Sequence, residues 1–341
     1  MTLAGPPAGP TGAAPPGPRR QGRVAGAESR LGYADPVRVA AIDCGTNSVR
    51  LLVADIADDA LVDVVRRMEI VRLGQGVDRT GRLAPEAIER TRVVLEAYAA
   101  EIESLGAVRT RMVATSATRD AANAADFHDM VVKTVGVVPE VISGEEEAAL
   151  SFAGAVRELA EPPPFLVVDI GGGSTEFVLG SQTATHAVSV DIGCVRMTER
   201  HLVSDPPTAS QVAAAEADIT AAVDRALQSV PGREAKTLVG LAGSVTTVAA
   251  IALGLDAYRP ERIHHARIPF GRVAEVTSAL LEMSHDERRR LPVMHPGRAD
   301  VIGAGALILR VVMERVGASA VVASEHDILD GIAWSLAADG T

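Results

Sequence analysis

The chain has 341 residues, which is enough for two hydrophobic cores, and 47% of them are hydrophobic, as in ordinary globular proteins. Its formal net charge is −11, and only 3% of its residues are aromatic. Such a surface repels nucleic acids and anionic membranes and offers few rings for stacking on bases, so we expect neither a nucleic-acid partner nor a membrane partner.

Residues 1–36 are rich in glycine, alanine and proline and have no hydrophobic period, which predicts a disordered tail. They lack the apolar segment of a secretory signal, and no apolar run approaches the ~20 residues of a transmembrane helix. We therefore expect a cytoplasmic protein. Cys44 and Cys194 have neither disulfide nor metal spacing, and we expect buried free thiols in a reducing compartment.

Regular structure is predicted to begin at Val37 with a strand, a glycine turn and a second strand. The segments that follow one another there are VRVAAI, DCGTNS and VRLLVADI, in which apolar runs flank a turn. Residues 60–70 can supply a third strand. A helix is predicted from Pro85 to Leu105, because proline is favoured at a helix start, one stripe of residues is apolar, and Gly106 can end the helix.

Shorter elements are predicted up to residue 160. They are a strand near 111–114, a helix near 126–135, a strand near 137–142 and a helix from 144 to about 159. Ser143 and Glu146 have the spacing of a capping box, in which the serine caps the helix and the glutamate bonds back to the cap. Glu147 then lies ~100° round the helix and is available to face a cleft.

A second strand–turn–strand unit follows a proline-rich break at residues 162–164. It reads FLVVD, IGGGS and TEFVLG, and Asp169 follows Asp43 by 126 residues. This offset also aligns Gly45 with Gly171 and Ser48 with Ser174. An internal repeat of a whole hairpin predicts two similar α/β halves that face each other across a cleft. We place them at residues 37–160 and 161–341.

The two glycine turns predict a phosphate site. Glycines let backbone N–H groups converge on a phosphate without interference from Cβ atoms. The aspartate before each turn would repel phosphate unless it holds Mg²⁺. The alternative is two ordinary glycine hairpins with aspartate as a turn residue. The candidate phosphate-binding residues are Gly45, Thr46, Asn47, Ser48, Gly171, Gly172, Gly173 and Ser174.

These turns and several further segments resemble the signatures of the exopolyphosphatase / guanosine pentaphosphate phosphohydrolase family. The further segments are TSATRDAANA at 115–124, ISGEEEA at 142–148, VGLAGSVTT at 239–247 and PGRADVIGAGALIL at 296–309. The resemblance extends from residue 37 to about 337 and implies the duplicated ribonuclease H-like fold of actin, Hsp70 and sugar kinases. It also implies a phosphoric anhydride hydrolase that releases terminal phosphate from inorganic polyphosphate by Mg²⁺-assisted attack of water.

The resemblance also implies the roles of the acidic residues. Glu147 matches the glutamate that positions or deprotonates the attacking water. Asp169 and Glu176 match metal-associated residues, with Asp43 as the counterpart of Asp169, and Mg²⁺ or Mn²⁺ as the ion. From the residues alone, Glu147 can instead support the helix N-terminus, and Glu176 can be a solvent-facing strand residue.

Three further residues take their roles from the same resemblance. Arg119 matches an arginine that contacts phosphate, although an ion pair with Asp120 or Asp126 is the alternative. Gly243 and Ser244 match a turn that lines the phosphate site or supports it.

Competing functions and partners remain open at this stage. Guanosine pentaphosphate hydrolysis is the sister activity, and a non-catalytic sensor of (p)ppGpp in the stringent response is a third hypothesis; a sugar kinase is least favoured. A homodimer is a further partner hypothesis. The chain stops at 341 without the HD-type domain of longer relatives, and Leu329 and Asp330 stand where many relatives have Arg-Glu, so short polyphosphate chains are the expected substrate.

The eight histidines show no metal-ligand spacing in the sequence. His264 and His265 adjoin Arg262 and Arg267, which predicts either a basic rim for an anionic chain or a plain surface cluster.

Overall fold

The computed structural model describes residues 36–57 and 60–338. The predicted disordered tail lies outside these residues, apart from Pro36. The strands are β1 (Val37–Cys44), β2 (Ser48–Ala57), β3 (Ala60–Ile70), β4 (Arg109–Ala114), β5 (Glu140–Val141), β6 (Phe165–Ile170), β7 (Thr175–Gly180), β8 (Ala184–Val190), β9 (Thr237–Leu241), β10 (Arg267–Pro269) and β11 (Ala320–Ala323).

The α-helices lie between and after these strands. They are α1 (Val77–Thr80), α2 (Pro85–Leu105), α3 (Ser116–Arg119), α4 (Ala124–Val135), α5 (Gly144–Val156), α6 (Cys194–His201), α7 (Ala209–Ser229), α8 (Ala242–Ala252), α9 (Pro260–Ile263), α10 (Phe270–Glu282), α11 (His285–Arg289), α12 (Ile302–Val316) and α13 (Ile328–Ala338). None of the described helices is both long and apolar enough to cross a membrane.

The two sheets repeat one plan. The first has the strand order β3-β2-β1-β4-β5, and the second has the order β8-β7-β6-β9-β11-β10. In each sheet the first three strands are antiparallel neighbours, and the central strand pairs in parallel with the next one along the sheet, β1 with β4 and β6 with β9. The predicted α/β fold with two copies of a ribonuclease H-like unit is therefore confirmed. The boundary at residue 160 stays a prediction.

Most predicted elements lie where the sequence placed them, and two differ in length. The strand predicted near 137–142 is only Glu140–Val141, because Pro139 has no N–H to donate to the neighbouring strand. The helix predicted to reach about residue 159 ends at Val156. The long helix matches its predicted span, Pro85–Leu105, and Gly106 ends it with a left-handed φ of 71°.

Helices α5 and α13 pack against each other, and each covers the sheet of the other half. Helix α5 contributes Ala148 and Phe152 to a core with the second sheet, and α13 contributes Ile328 and Ile332 to a core with the first. Glycines allow the close crossing. A Cβ on Gly154 would lie 1.9 Å from the backbone oxygen of Asp327. This crossing fixes the C-terminal half of α5 against the segment before α13, and the first turn of the same helix carries the candidate catalytic glutamate.

Candidate active site

The two glycine turns face each other and share a cleft. In each hairpin the first glycine of the turn donates its N–H to the serine oxygen three residues on, Gly45 to Ser48 at 2.9 Å and Gly171 to Ser174 at 3.0 Å. A Cβ added at Gly173 would lie 2.5 Å from Ser116 Oγ and 2.9 Å from Thr46 Oγ1. The turns therefore touch at Gly173, a contact beyond the facing halves that the repeat predicted.

The cleft between the turns is lined by most of the predicted site residues. These are Asp43, Gly45, Thr46, Asn47, Ser48, Glu147, Asp169, Gly171, Gly172, Ser174, Gly243 and Ser244. Gly173 lies behind the lining, where Thr46 and Ser116 contact it, and Glu176 lies buried beside Asp169. The structure thus brings together residues from both halves of the chain around one cavity.

Asp169 and Glu176 form a buried pair of like charge. They face each other across the β6–β7 ladder, and their side chains lie on one face. Serine hydroxyls hold them, because Ser151 Oγ donates to Asp169 at 2.7 Å and Ser189 Oγ donates to Glu176 at 2.7 Å. Burial raises the pKa of both carboxyls, and the negative charge of Asp169 raises the pKa of Glu176 further.

Glu147 lies in the cleft on the first turn of α5. The Ser143 hydroxyl caps this helix by accepting the Glu146 N–H at 3.1 Å, as predicted. The other half of the predicted capping box, from the Glu146 carboxylate to the Ser143 N–H, is not formed. The Glu146 carboxylate instead accepts from Arg111 at 2.9 Å. Glu147 is buried, and that burial, together with Glu176 and Asp169 nearby, raises its pKa well above the ordinary value.

Arg119 lies beside Glu147. Its Nη1 donates to the Ile142 backbone oxygen at 3.0 Å and to Glu147 Oε2 at 3.3 Å. The alternative ion pairs are not formed, since Asp120 pairs with Arg196 at 2.6 Å and Asp126 accepts from Asn123 at 3.2 Å. Arg119 therefore contacts the candidate catalytic carboxylate rather than its sequence neighbours.

Arg50, which was not predicted as a site residue, faces Asp43 across the β1–β2 ladder. Arg50 Nη2 donates to Asp43 Oδ2 at 2.6 Å, and Nη1 also pairs with Asp327. Residue 50 is the position that the 126-residue repeat aligns with Glu176. Extending the repeat by two residues beyond Ser48 would have found this position.

Arg298 is a second missed residue, and it reaches the cleft next to the turn after β9. A Cβ on Gly243 would lie 2.3 Å from Arg298 Cζ, so the absence of a side chain at 243 gives the guanidinium its place. Ala242, beside it, adopts a left-handed φ of 67°, which costs a non-glycine residue about 1 kcal/mol. The turn is strained where it lines the site.

A wider cavity of about 410 Å³ adjoins the cleft. Arg50, Gly243 and Arg298 line both spaces. Arg66 and Tyr258 also line the second cavity, so it offers cations and an aromatic ring next to the phosphate turns.

The acidic residues suit Mg²⁺. Their carboxylate oxygens are the ligands that this ion prefers. Asp43 Oδ1 is buried and has no hydrogen-bond partner among the described residues, and an unpaired buried carboxylate oxygen costs free energy that a cation offsets. Burial raises the pKa of Asp43 and of Asp169 although Arg50 opposes the rise, so a further cation would favour the ionised form of both carboxyls.

Comparison with known proteins gives consistent matches. A model of the Ppx/GppA phosphatase family matches residues 52–338. Exopolyphosphatase 2 of Mycobacterium tuberculosis is 52% identical over an alignment of 314 positions, and the match covers 88% of this chain and 98% of that protein.

Solved structures agree with the sequence comparison. The crystal structure of an exopolyphosphatase-like protein has a TM-score of 0.86 and 42% identity and covers 89% of this chain and 98% of its own. The Aquifex aeolicus PPX-GPPA enzyme has a TM-score of 0.75 and 33% identity and covers 88% of this chain and 99% of its own.

Proposed function

From the premise that this chain belongs to the Ppx/GppA phosphatase family, we propose that it is an exopolyphosphatase, which releases terminal orthophosphate from inorganic polyphosphate. The relative named exopolyphosphatase 2 matches nearly all of its own length to this chain. The acidic surface of the chain and the clustered cleft carboxylates fit a reaction in which a cation accompanies the anionic substrate.

One observation carries this proposal: a buried glutamate faces a cleft formed by two glycine turns. Glu147 accepts a proton from water, the water oxygen bonds to the terminal phosphorus, and the bridging P–O bond breaks to leave the shortened chain. Burial and the neighbouring carboxylates raise the pKa of Glu147, which makes its ionised form a stronger proton acceptor. The turn N–H groups and Arg119 bind and orient the terminal phosphoryl group.

Asp43, Asp169 and Glu176 would hold Mg²⁺ or Mn²⁺ in this proposal. When bound, the ion supplies positive charge to the phosphoryl oxygens and offsets the repulsion between substrate and cleft. The three carboxylates would hold the ion, and Ser151 and Ser189 orient two of them.

The test compares Glu147→Gln with Glu146→Gln by phosphate release from polyphosphate in Mg²⁺ and by a ladder gel of the remaining chains. Loss of a general base costs roughly 10²–10⁴-fold in rate, so Glu147→Gln should be nearly inactive. Glu146→Gln removes the neighbouring carboxylate, which bonds to Arg111 outside the cleft, and should retain activity. Near-normal turnover by a folded Glu147→Gln protein would contradict the proposal.

The adjoining cavity supports a second candidate, hydrolysis of guanosine pentaphosphate. The ring of Tyr258 could stack on a nucleoside base, and Arg66 could bind phosphates that enter the cleft. Parallel assays on short polyphosphate and on this nucleotide separate the two activities. Tight (p)ppGpp binding without turnover would instead favour the sensor. A cytoplasmic location, a role in the stringent response and a homodimer remain predictions.

A further inference from the structure

Three metal-ligating side chains from distant parts of the chain meet outside the catalytic cleft. Glu158 follows α5, His264 follows α9, and His326 lies in the loop before α13. One ligand atom from each lies within 4.8 Å of the others. None of the three lines the cleft between the glycine turns. The cluster was invisible in the sequence because its members are more than sixty residues apart.

The backbone fixes the two histidines. The His264 N–H donates to the Pro260 oxygen at 2.8 Å, and the next N–H, that of His265, donates to the Ala323 oxygen at 2.7 Å. The loop before α13 is closed on itself, because Ser324 Oγ accepts the His326 N–H at 3.1 Å and donates to the His326 oxygen at 2.8 Å. Both imidazoles therefore stand on ordered supports, as a binding site requires.

The surroundings leave polar atoms without partners. His264 stacks on His265 with ring centroids 3.7 Å apart and lies 4.4 Å from the His326 ring. The Nε2 atom of His265 and the Oε2 atom of Glu161 are buried and have no hydrogen-bond partner among the described residues. Burial, followed by the neighbouring imidazoles, lowers the pKa of His264 to about 4. The one lone pair of the neutral His264 ring accepts a backbone N–H in this structure.

We propose that Glu158, His264 and His326 form a site for a borderline transition-metal ion such as Zn²⁺, with water as a fourth ligand. Two imidazoles and one carboxylate are ligands that such ions select. Zinc–ligand bonds of about 2.0–2.1 Å place ligand atoms roughly 3.4 Å apart in a tetrahedron. Glu158 Oε2 already lies 3.7 Å from His326 Nδ1, and the glutamate is exposed enough to move.

One existing contact sets the strength of the site. His264 Nδ1 accepts the Glu325 N–H at 3.1 Å, and a neutral imidazole has one lone pair. Metal binding therefore replaces that hydrogen bond at Nδ1 or turns the ring to present Nε2. The loss of one hydrogen bond and the open fourth position make this an exchangeable site. A bound ion would link the end of α5 to the loop that carries Asp327, the partner of Arg50.

The test uses the full-length, tag-free protein after chelation, with excess Mg²⁺ to occupy the catalytic carboxylates. Co²⁺ is titrated while its visible absorption is recorded, and Zn²⁺ then competes for the site. The wild-type protein should give a tetrahedral Co²⁺ spectrum at one ion per chain, and Zn²⁺ should raise its melting temperature. His326→Gln and His264→Gln should each weaken Co²⁺ binding roughly 100-fold.

His186→Gln is the matched control, because His186 is exposed on β8 and contacts only Thr185 among its described hydrogen-bond partners. It should keep the wild-type Co²⁺ spectrum and affinity. The proposal is overturned if wild-type protein shows no tetrahedral spectrum, or if folded His326→Gln and His264→Gln proteins bind Co²⁺ as tightly as His186→Gln. Phosphate release is not needed as a readout, so this result is independent of the proposed hydrolase activity.

Discussion

The two glycine hairpins have the same type of turn. They differ in the residue that faces the aspartate across each hairpin. Across β1–β2, Asp43 faces Arg50, and two of its guanidinium nitrogens donate to one carboxylate oxygen at 2.6 and 3.0 Å. Across β6–β7, Asp169 faces Glu176, and the hydroxyls of Ser151 and Ser189 donate to the two carboxylates. The two hairpins therefore have the same backbone arrangement, but the residue opposite the aspartate is positively charged in the first and acidic in the second.

The two pairs therefore have different effects on stability and on metal binding. The first pair is attractive, and Arg50 also neutralises Asp327, so it joins the first hairpin to the segment before α13. The second pair is repulsive and buried, so it must hold a proton or a cation. We infer that Arg50 of the first hairpin contributes stability, and that the Asp169–Glu176 pair of the second adds metal affinity to that of Asp43 at a cost in stability.

The turns differ in a complementary way. The repeat aligns Thr46 with Gly172 and Asn47 with Gly173. The Thr46 side chain occupies the space in front of both glycines, 2.8 Å from a Cβ built on Gly172. One turn therefore supplies a side chain where the other supplies room for it.

The largest expected effect is on stability, from Arg50→Met. Two buried carboxylates, Asp43 and Asp327, would lose their cation, and breaking a buried pair in this way costs about 3–5 kcal/mol. Urea unfolding in Mg²⁺-free buffer measures the loss. Arg50→Lys, which keeps the charge without the guanidinium fork, should lose less. An unfolding midpoint equal to that of the wild type would show that this pair does not stabilise the first hairpin.

Glu176→Gln should increase the free energy of unfolding of the metal-free protein, whereas Arg50→Met decreases it. The pKa of Glu176 rises from 4.5 to about 8 on folding, because of burial and the charge of Asp169. Between these values the folded state holds a proton that the unfolded state has released, so wild-type stability falls as pH rises from about 5 to about 8. The variant removes this pH-dependent loss of stability and should be more stable than the wild type by about 1–3 kcal/mol near pH 7. It should also bind Mg²⁺ more weakly.

Urea unfolding in EDTA at several pH values tests this expectation. The wild-type free energy of unfolding should decline with pH, and Glu176→Gln should flatten the slope by up to about 1.4 kcal/mol per pH unit. Saturating Mg²⁺ should flatten the wild-type slope as well, since the cation favours the ionised carboxyls. A variant that is less stable than the wild type near pH 7 would contradict the repulsive pair.

Gly173→Ala tests how closely the turns fit. The new Cβ would lie 2.5 Å from Ser116 Oγ and 2.9 Å from Thr46 Oγ1, so the turns must move apart. Overpacking of this kind costs about 1–3 kcal/mol, and a displacement of about 1 Å can reduce the rate on the order of 100-fold. Steady-state phosphate release and thermal unfolding measure the two effects.

Two other glycine substitutions serve as controls for Gly173→Ala. Gly271→Ala, at an exposed position in α10 with nothing within 4 Å, should be neutral or slightly stabilising. Gly45→Ala meets only an ordinary contact of 3.5 Å with the Ser48 oxygen and should cost less than Gly173→Ala. Equal losses at positions 45 and 173 would contradict the complementary fit.

The sequence predicted those features that depend on local spacing. The glycine turns and their aspartates repeat at a fixed offset, and helix geometry separates Glu147 from Glu146, so both were found. The length of β5 was wrong because one proline outweighs an apolar run. Asp327 and Arg298 were missed because tertiary packing brings them to the cleft; Asp327 pairs with Arg50 from 277 residues away, and no local pattern encodes such a contact.

The smallest expected effect comes from Ser189→Ala, which changes the second hairpin without changing its charge. The Ser189 hydroxyl donates to Glu176 at 2.7 Å and favours the ionised carboxylate. Its loss should raise the pKa of Glu176 further and weaken Mg²⁺ binding by about 1 kcal/mol, roughly five-fold. The Mg²⁺ concentration for half-maximal phosphate release measures this near pH 7, with the exposed Ser104→Ala as control. The difference should narrow as the pH rises above the pKa of Glu176 in both proteins and the carboxyl becomes ionised in each. A difference that is independent of pH would mean that Ser189 acts by packing alone.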